Sequence, residues 1–375
     1  MFKTATSKLV VYATVAINAI TLVVSIALLV VSAYWTSRPG SHVYYSTFWT
    51  ISATTSGSVQ LALLYRFTNP GTVVKVTLPT GQATNVNHFC TSVENPAGPT
   101  IWFEADAAHG VLDFIGVQTI LAQDYNRTSC SYDPPNFGWS DNLPSSLNDF
   151  YSYFIPLLRA LGQQDEPKIL VGWGDGAHNA LMHALENVDV TRQLVLMDSS
   201  PDGIEWFDAQ RANNWTEKQM LQYRQTDLQG RISLVQLILG VAIPWGLLPI
   251  LIPANSTGYF DASLYPMYNA QSRKENMWAN QYFGLRQMAA NTIDEYLVNT
   301  TVPEGMTISA LMTYNAGTDP ASDEFYRQEK LGMLNNIAGK NVTDNVVWCA
   351  EDGCSLSFPV NMPSWTAHSL MALGI

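Results

Sequence analysis

The chain has 375 residues, 31 Asp+Glu against 19 Lys+Arg for a formal charge of −12, and only 13% charged residues, about half the ~25% usual in soluble proteins. Its 47% hydrophobic content, with 11 Trp, 17 Tyr and 14 Phe, supplies a large core and excludes disorder as the main state. An acidic chain without a Lys/Arg run is repelled by phosphate, which excludes an ordinary nucleic-acid-binding surface.

Residues 1–8 contain Lys3 and Lys8, and residues 9–35 that follow carry no charge and consist mostly of Leu, Val, Ile and Ala. At about 1.5 Å per residue this run spans a ~30 Å hydrocarbon core, and it exceeds the ~7–15 residues of a cleaved signal peptide's apolar region. It is expected to be a transmembrane signal anchor, with the two lysines cytoplasmic and the large domain lumenal or extracellular. Residues 36–70 read as a stalk; within them 43–65 are uncharged but rich in Ser and Thr, and a second span there would return the domain to the cytoplasmic side. Five N-x-[ST] sequons, at Asn126, Asn214, Asn255, Asn299 and Asn341, fit a glycosylated lumenal domain. The four cysteines suit a compartment that permits disulfides. Pairing of Cys90 with Cys130 and of Cys349 with Cys354 is favoured, four buried thiols being the alternative.

After the turn at Asn69-Pro70-Gly71, short apolar runs recur at 73–78, 100–105, 129–133, 168–173, 193–198, 308–313 and 345–350, with helix-length amphipathic segments such as 145–161 and 176–186 between them. The alternation predicts a mostly parallel, doubly wound sheet in one α/β domain over 71–375. From about 201 to 300 the strand pattern stops, which predicts a helical lid inserted between late strands. Inside it, 232–253 is uncharged but interrupted by Gly240, Pro244 and Pro249, and is expected to form two short helices that dip into a bilayer surface.

The run LVGWGDGAHNALMHALE (170–186), following strand-like KILV, resembles the nucleophile elbow of the α/β-hydrolases, whose G-x-S-x-G forms a sharp strand-to-helix turn. Upstream, PTIWFEADAAHGVLDFIGVQTILA (99–122) resembles the oxyanion loop of that superfamily and CSYDPPNFGWSD (130–141) its "YDRPGxGxSD" segment; downstream, QLVLMDSSPDGIEW (193–206) resembles its next strand and lid entrance. The resemblance covers about 70–375 and implies an α/β-hydrolase fold related to lipases and esterases.

It also implies where a catalytic triad would stand. Gly172 and Gly176 flank Gly174, which takes the nucleophile position and has no side chain to attack with. A one-residue shift would make Asp175 the nucleophile, at the cost of Trp173 in a position the turn needs small. The histidine segment aligns with 349–354 and puts Gly353 or Cys354 where the base belongs; His368, further on, falls in the final helix. The acid corresponds to Asp319, or in a less common arrangement to Asp198. Acyl transfer requires a nucleophile beside an oriented base, so a pseudoenzyme is expected. Backbone N–H groups near Ala107, Ala108 and Asp175 would still hold a carbonyl or carboxylate.

Other chemistry is weaker. His178 and His183 lie on different faces of one helix and no Cys or Asp cluster completes a metal site; His109-Gly110 resembles a loop-shaping pair; Ser199 and Ser200 read as turn formers. GWGDG lacks the third spaced glycine of a dinucleotide fingerprint and the lysine of a P-loop. No metal or cofactor is expected. The expected partners are the bilayer, through the N-terminal helix, and an apolar ligand or a protein at the lid. The rival expectation is a serine-esterase or lipase-like hydrolase with displaced residues, using Asp175 or a lid serine with His368 or His178.

Overall fold

Residues with β-branched and aromatic side chains, bounded by Gly, Pro and Asn, form eight strands: β1 (Thr72–Thr77), β2 (Ala83–Thr91), β3 (Thr100–Glu104), β4 (Ser129–Tyr132), β5 (Lys168–Trp173), β6 (Thr191–Met197), β7 (Thr307–Thr313) and β8 (Val346–Cys349). The computed structural model describes residues 69–106, 109–141, 151–199, 204–242, 264, 267, 278–279, 301–313, 320–339, 342, 345–349 and 358–375. The expected anchor at 9–35, nearly all of the stalk, and Ala107, Ala108, Ser200, Asn255, Asn299, Asp319, Asn341, Gly353 and Cys354 lie outside these residues. Among the described residues no helix is long and apolar enough to cross a membrane.

The strands join in one sheet of order β1-β2-β4-β3-β5-β6-β7-β8. From β4 onward neighbours run parallel, while β2 is antiparallel to both β1 and β4. β2 is the strand missing from the sequence pattern. Its core-facing positions Thr84 and Val86 alternate with exposed Ala83 and Asn85, but Asn and His within ATNVNHFCT hide the period. Helices are α1 (Val111–Tyr125), α2 (Tyr151–Ala160), α3 (Gly176–Glu186), α4 (Ile204–Ala212), α5 (Glu217–Leu237), α6 (Pro320–Ala338), α7 (Phe358–Asn361) and α8 (Pro363–Ala372).

Because successive strand residues point to opposite faces, the sheet has a core on each side. Trp102, Leu170, Leu194, Leu196, Ala310 and Met312 face α2, α3 and α6. Phe103, Val171, Val195, Met197 and Leu311 face α1 and α8. Thr216 caps α5: its hydroxyl accepts from Gln219 N–H while Gln219 Oε1 accepts from Thr216 N–H at 2.9 Å. Of the 232–253 stretch expected to form two short helices, 243–253 lie outside the described residues and 232–242 do not start a separate helix. They continue α5 and then a π-helical turn, Ile238–Ala242, leaving Leu234, Leu237 and Val241 exposed on one face.

Asp133, wholly buried after β4, organises the segment that joins β4 to its surroundings. Its Oδ2 accepts from Asn87 Nδ2 at 2.8 Å and Trp139 N–H at 2.9 Å, and its Oδ1 from Val111 N–H at 2.9 Å, in the first turn of α1. An anion is favoured at a helix N-terminus, and each buried donor left unsatisfied costs ~1–3 kcal/mol. Asp133→Ala is therefore expected to lower stability by about 3 kcal/mol or more, read as a fall in the urea midpoint with unchanged slope.

Candidate active site

Strand β5 hands over to α3 through Gly174 and Asp175, at the carboxyl end of the sheet. Between β3 and β5 the strand order reverses direction, the place where α/β sheets open a crevice. Gly174 has φ +54, a left-handed conformation that favours glycine, and its N–H donates to Met197 O at 2.9 Å. The flanking glycines permit close approach. A Cβ on Gly172 would lie 2.6 Å from Ala177 Cα, and one on Gly176 2.5 Å from the carbonyl oxygens of both Glu104 and Ala105. The left-handed residue at the tip of the turn is thus Gly174, and Asp175, at φ −63, is the N-cap of α3.

The space above Gly174 is taken by another residue. A Cβ on Gly174 would stand 2.5 Å from Asp106 Cγ and Oδ1 and 2.9 Å from Oδ2. Asp106 leaves the end of β3, and its Oδ1 accepts the backbone N–H of Asp175 at 2.8 Å. The Asp175 donor expected to hold a carbonyl or carboxylate is present and already engaged by the chain's own carboxylate.

Around this pair the charges are layered. Asp106 O accepts from His109 N–H at 3.0 Å in a tight turn, and His109 Nδ1 lies 3.1 Å from Asp113 Oδ1, with its ring against Trp173 at 4.6 Å. Burial works to lower the His109 pKa, but the charge of Asp113, the hydrogen bond to it and the charge of Asp106 outweigh burial and raise it. Asp175 is pushed up to about 6, first by burial and then by the negative charge of Asp106, with His178 pulling the other way.

Behind the elbow sits a fully buried polar knot. His183 of α3 places Nδ1 3.0 Å from Glu104 Oε1 at the end of β3, and Tyr132 of β4 donates its hydroxyl to Glu104 at 2.9 Å and 3.1 Å. Phe154 of α2 stacks on His183 at 4.5 Å. The Tyr132 phenol is held well above its usual pKa by burial and by the charge and hydrogen bond of Glu104. The knot fixes α3 against β3 and β4, and so fixes the turn.

Asp198, after β6 with φ +47, is committed elsewhere than to a histidine. Its Oδ1 accepts from Lys330 Nζ at 2.7 Å, Thr313 Oγ1 at 2.7 Å and Thr313 N–H at 3.1 Å, and the ion pair is almost fully buried. His368 is exposed on α8, where Nδ1 lies 2.6 Å from Ser364 O and the ring meets Tyr125. Ser199 is buried. Cys90 is bonded to Cys130; Cys349 is also disulfide-bonded. Asn126 and Asn214 are exposed at helix ends, both with φ +51. Among the described residues no group of three or more His, Cys, Asp or Glu could hold a metal.

The sequence did not single out Asp106, Glu104 or Lys330. The one available signal was an acid in the oxyanion segment three residues before His109, and nothing local says that it reaches a turn 69 residues away.

No family model matches the chain, and no curated protein matches it. Its structure is similar to a thermophilic esterase from Thermogutta terrifontis in its malate-bound form (TM-score 0.53, 13% identity, 80% of this chain and 97% of the other). It is similar also to an epoxide hydrolase from metagenomes of hot environments (TM-score 0.53, 12% identity, 81% and 99%). A third match is a Bacillus megaterium epoxide hydrolase in complex with an inhibitor (TM-score 0.52, 12% identity, 80% and 99%). The chain has the α/β-hydrolase fold.

Two tests follow from the charges. A carboxyl with a raised folded pKa costs stability above that pKa, and the cost vanishes as pH falls below its ordinary value near 3.8. Asp175→Asn is therefore expected to stabilise the protein at pH 7.5 by about 1 kcal/mol, discounted because the side chain is partly solvated. The gain should shrink from about pH 6 downward and be gone near pH 4, as thermal unfolding across pH would show. Lys330→Met leaves Asp198 buried without its cation and is expected to cost about 3 kcal/mol or more in denaturant titration.

Proposed function

We propose that this is a membrane-anchored α/β-hydrolase-fold protein that binds a ligand or partner at its lidded cleft and lacks serine-dependent hydrolysis. The observation that carries the reading is the elbow. Gly174 supplies no nucleophile, and the Asp106 carboxylate fills the volume where a nucleophilic side chain would stand. The less common acid position, Asp198, already takes Lys330 and Thr313 on its Oδ1. Acyl transfer without nucleophile and base retains only what binding and the oxyanion donors provide. The charge-free run at 9–35 and the five sequons support anchoring with the domain lumenal or extracellular. The exposed Leu234, Leu237 and Val241, at the end of α5 that feeds the apolar stretch to Pro253, support a lid that meets an apolar ligand or a bilayer surface.

The test is hydrolysis of short- and medium-chain p-nitrophenyl esters by the full-length glycosylated protein in detergent, with fluorophosphonate labelling beside it. No turnover and no labelled serine are expected. Gly174→Ser is also expected to stay inactive, because the new side chain meets Asp106. Turnover by the parent with a mappable labelled serine would overturn the reading and favour the displaced-residue hydrolase. Carbonate extraction and a mass shift on N-glycosidase treatment check the anchoring and the compartment; release of the chain by carbonate would remove that part of the proposal.

A further inference from the structure

Ser199 reads from the sequence as a turn former, yet its hydroxyl makes no hydrogen bond among the described residues, although the residue is only 1% exposed. A buried hydroxyl without a partner costs stability, and such a group in a folded protein calls for a use. Its place in the fold supplies one. Ser199 stands two residues past β6, and the chain just before it is held on both sides: Met197 O accepts Gly174 N–H at 2.9 Å, and Asp198 N–H donates to Leu311 O at 2.7 Å. The hydroxyl is therefore beside the elbow, at the carboxyl end of the sheet, where α/β sheets open a crevice. Trp102 Nε1 is also buried and unbonded, but it lies inside β3 within the core. The walls at this end are apolar. Leu264 and Met267, from the chain between β6 and β7, are buried in one core with Ala105, Trp139, Trp173 and Met197. The charges at this end are acidic. Lys330 faces Asp198, His109 faces Asp113, and His178 acts on Asp175, so an entering carboxylate would add to the negative charge of Asp106 and Asp175.

We propose that Ser199 is the hydrogen-bonding hook of the cleft, and that it takes a neutral ligand with an apolar body and one compact polar head, a ketone or an alcohol, in preference to a carboxylate. This rests on the binding reading and deepens it, naming the ligand class and the side chain that orients it. A mostly apolar site with a single placed polar group fixes orientation through that group and gains affinity from the walls. Serine suits the task because its hydroxyl both donates and accepts, so a carbonyl or a hydroxyl head satisfies it. The stability lost by burying the hydroxyl in the free protein is recovered when the ligand bonds to it.

The probes are cyclohexanone and cyclohexanecarboxylate, which share a body and differ in the head, titrated into the full-length protein in detergent and followed by saturation-transfer NMR and thermal unfolding. Comparison with Ser199→Ala and Ser199→Thr cancels partition into the detergent. Cyclohexanone is expected to bind wild type and to bind Ser199→Ala about fivefold more weakly, the worth of one hydrogen bond. Ser199→Thr, which keeps the hydroxyl, should stay closer to wild type than to Ser199→Ala, and cyclohexanecarboxylate should bind none of the three. Without probe, Ser199→Ala should melt about 2 °C above wild type, because it removes an unpartnered hydroxyl from the interior; a serine that shaped a turn would lose stability on the same change. A lower melting temperature for Ser199→Ala, equal cyclohexanone affinity in wild type and Ser199→Ala, or no cyclohexanone binding by wild type would sink the proposal. Tighter binding of the carboxylate than of the ketone would overturn the neutral head. Affinity that ignores residue 199 removes this assignment and leaves the binding reading standing, whereas ester turnover by the parent defeats that reading whatever cyclohexanone does.

Discussion

Three chain segments converge at the elbow more closely than side chains allow, and the rest of the cleft follows from that convergence. The strand β5, the first turn of α3 and the end of β3 meet with backbone atoms where Cβ atoms at 172 and 176 would stand. The reversal of chain direction at Gly174 needs a left-handed residue, and the packing around it needs glycine on both sides. With these satisfied, the N-terminus of α3 points into the crevice at the switch in strand order. Asp106 then reaches Asp175 N–H without distortion elsewhere.

The surroundings are arranged to keep that geometry fixed. On the core side, His183 Nδ1 and the Tyr132 hydroxyl both approach the Glu104 carboxylate, with Phe154 stacked over His183. Buried polar groups are costly when separated from their partners, so the contact restricts how these elements can shift. At the other end of the crevice, Asp198 and Lys330 join β6, β7 and α6. Asp198, the acid position of the less common arrangement, is tied to Lys330 and Thr313 and holds these elements together.

How much of this was legible depends on range. The elbow could be read because its constraint is local: small residues at fixed spacing between an apolar run and an amphipathic helix have a steric cause. The parallel strands could be read from short continuous apolar runs such as Ile169–Val171 and Leu194–Met197. β2 could not, because an outer strand with one polar face, broken by Asn85, Asn87 and His88, carries a weak period. Asp106 and Lys330 were illegible for a different reason. Each acquires its role through a contact 69 or 132 residues away, and an isolated acid or lysine looks the same whether it is solvated or buried. The expectation of two short helices over 232–253 rested on Gly240 and the prolines as breaks, whereas α5 runs on to Leu237 and a π turn carries the backbone through Gly240.

The disulfide makes the attachment of the first hairpin sensitive to redox conditions. Cys90 and Cys130 are direct partners across the ladder between β2 and β4, which has four residue pairs and joins the β1–β2 hairpin to the parallel part of the sheet alongside the bonds of Asn85 and Asn87 to Asp141 and Asp133. Cross-linking two points 40 residues apart contributes about 4 kcal/mol by restricting the unfolded chain. Without it, departure of the hairpin would turn β4 into a sheet edge with unpaired backbone groups, a template for pairing with other chains. Under reducing conditions the attachment of the hairpin depends on its noncovalent contacts.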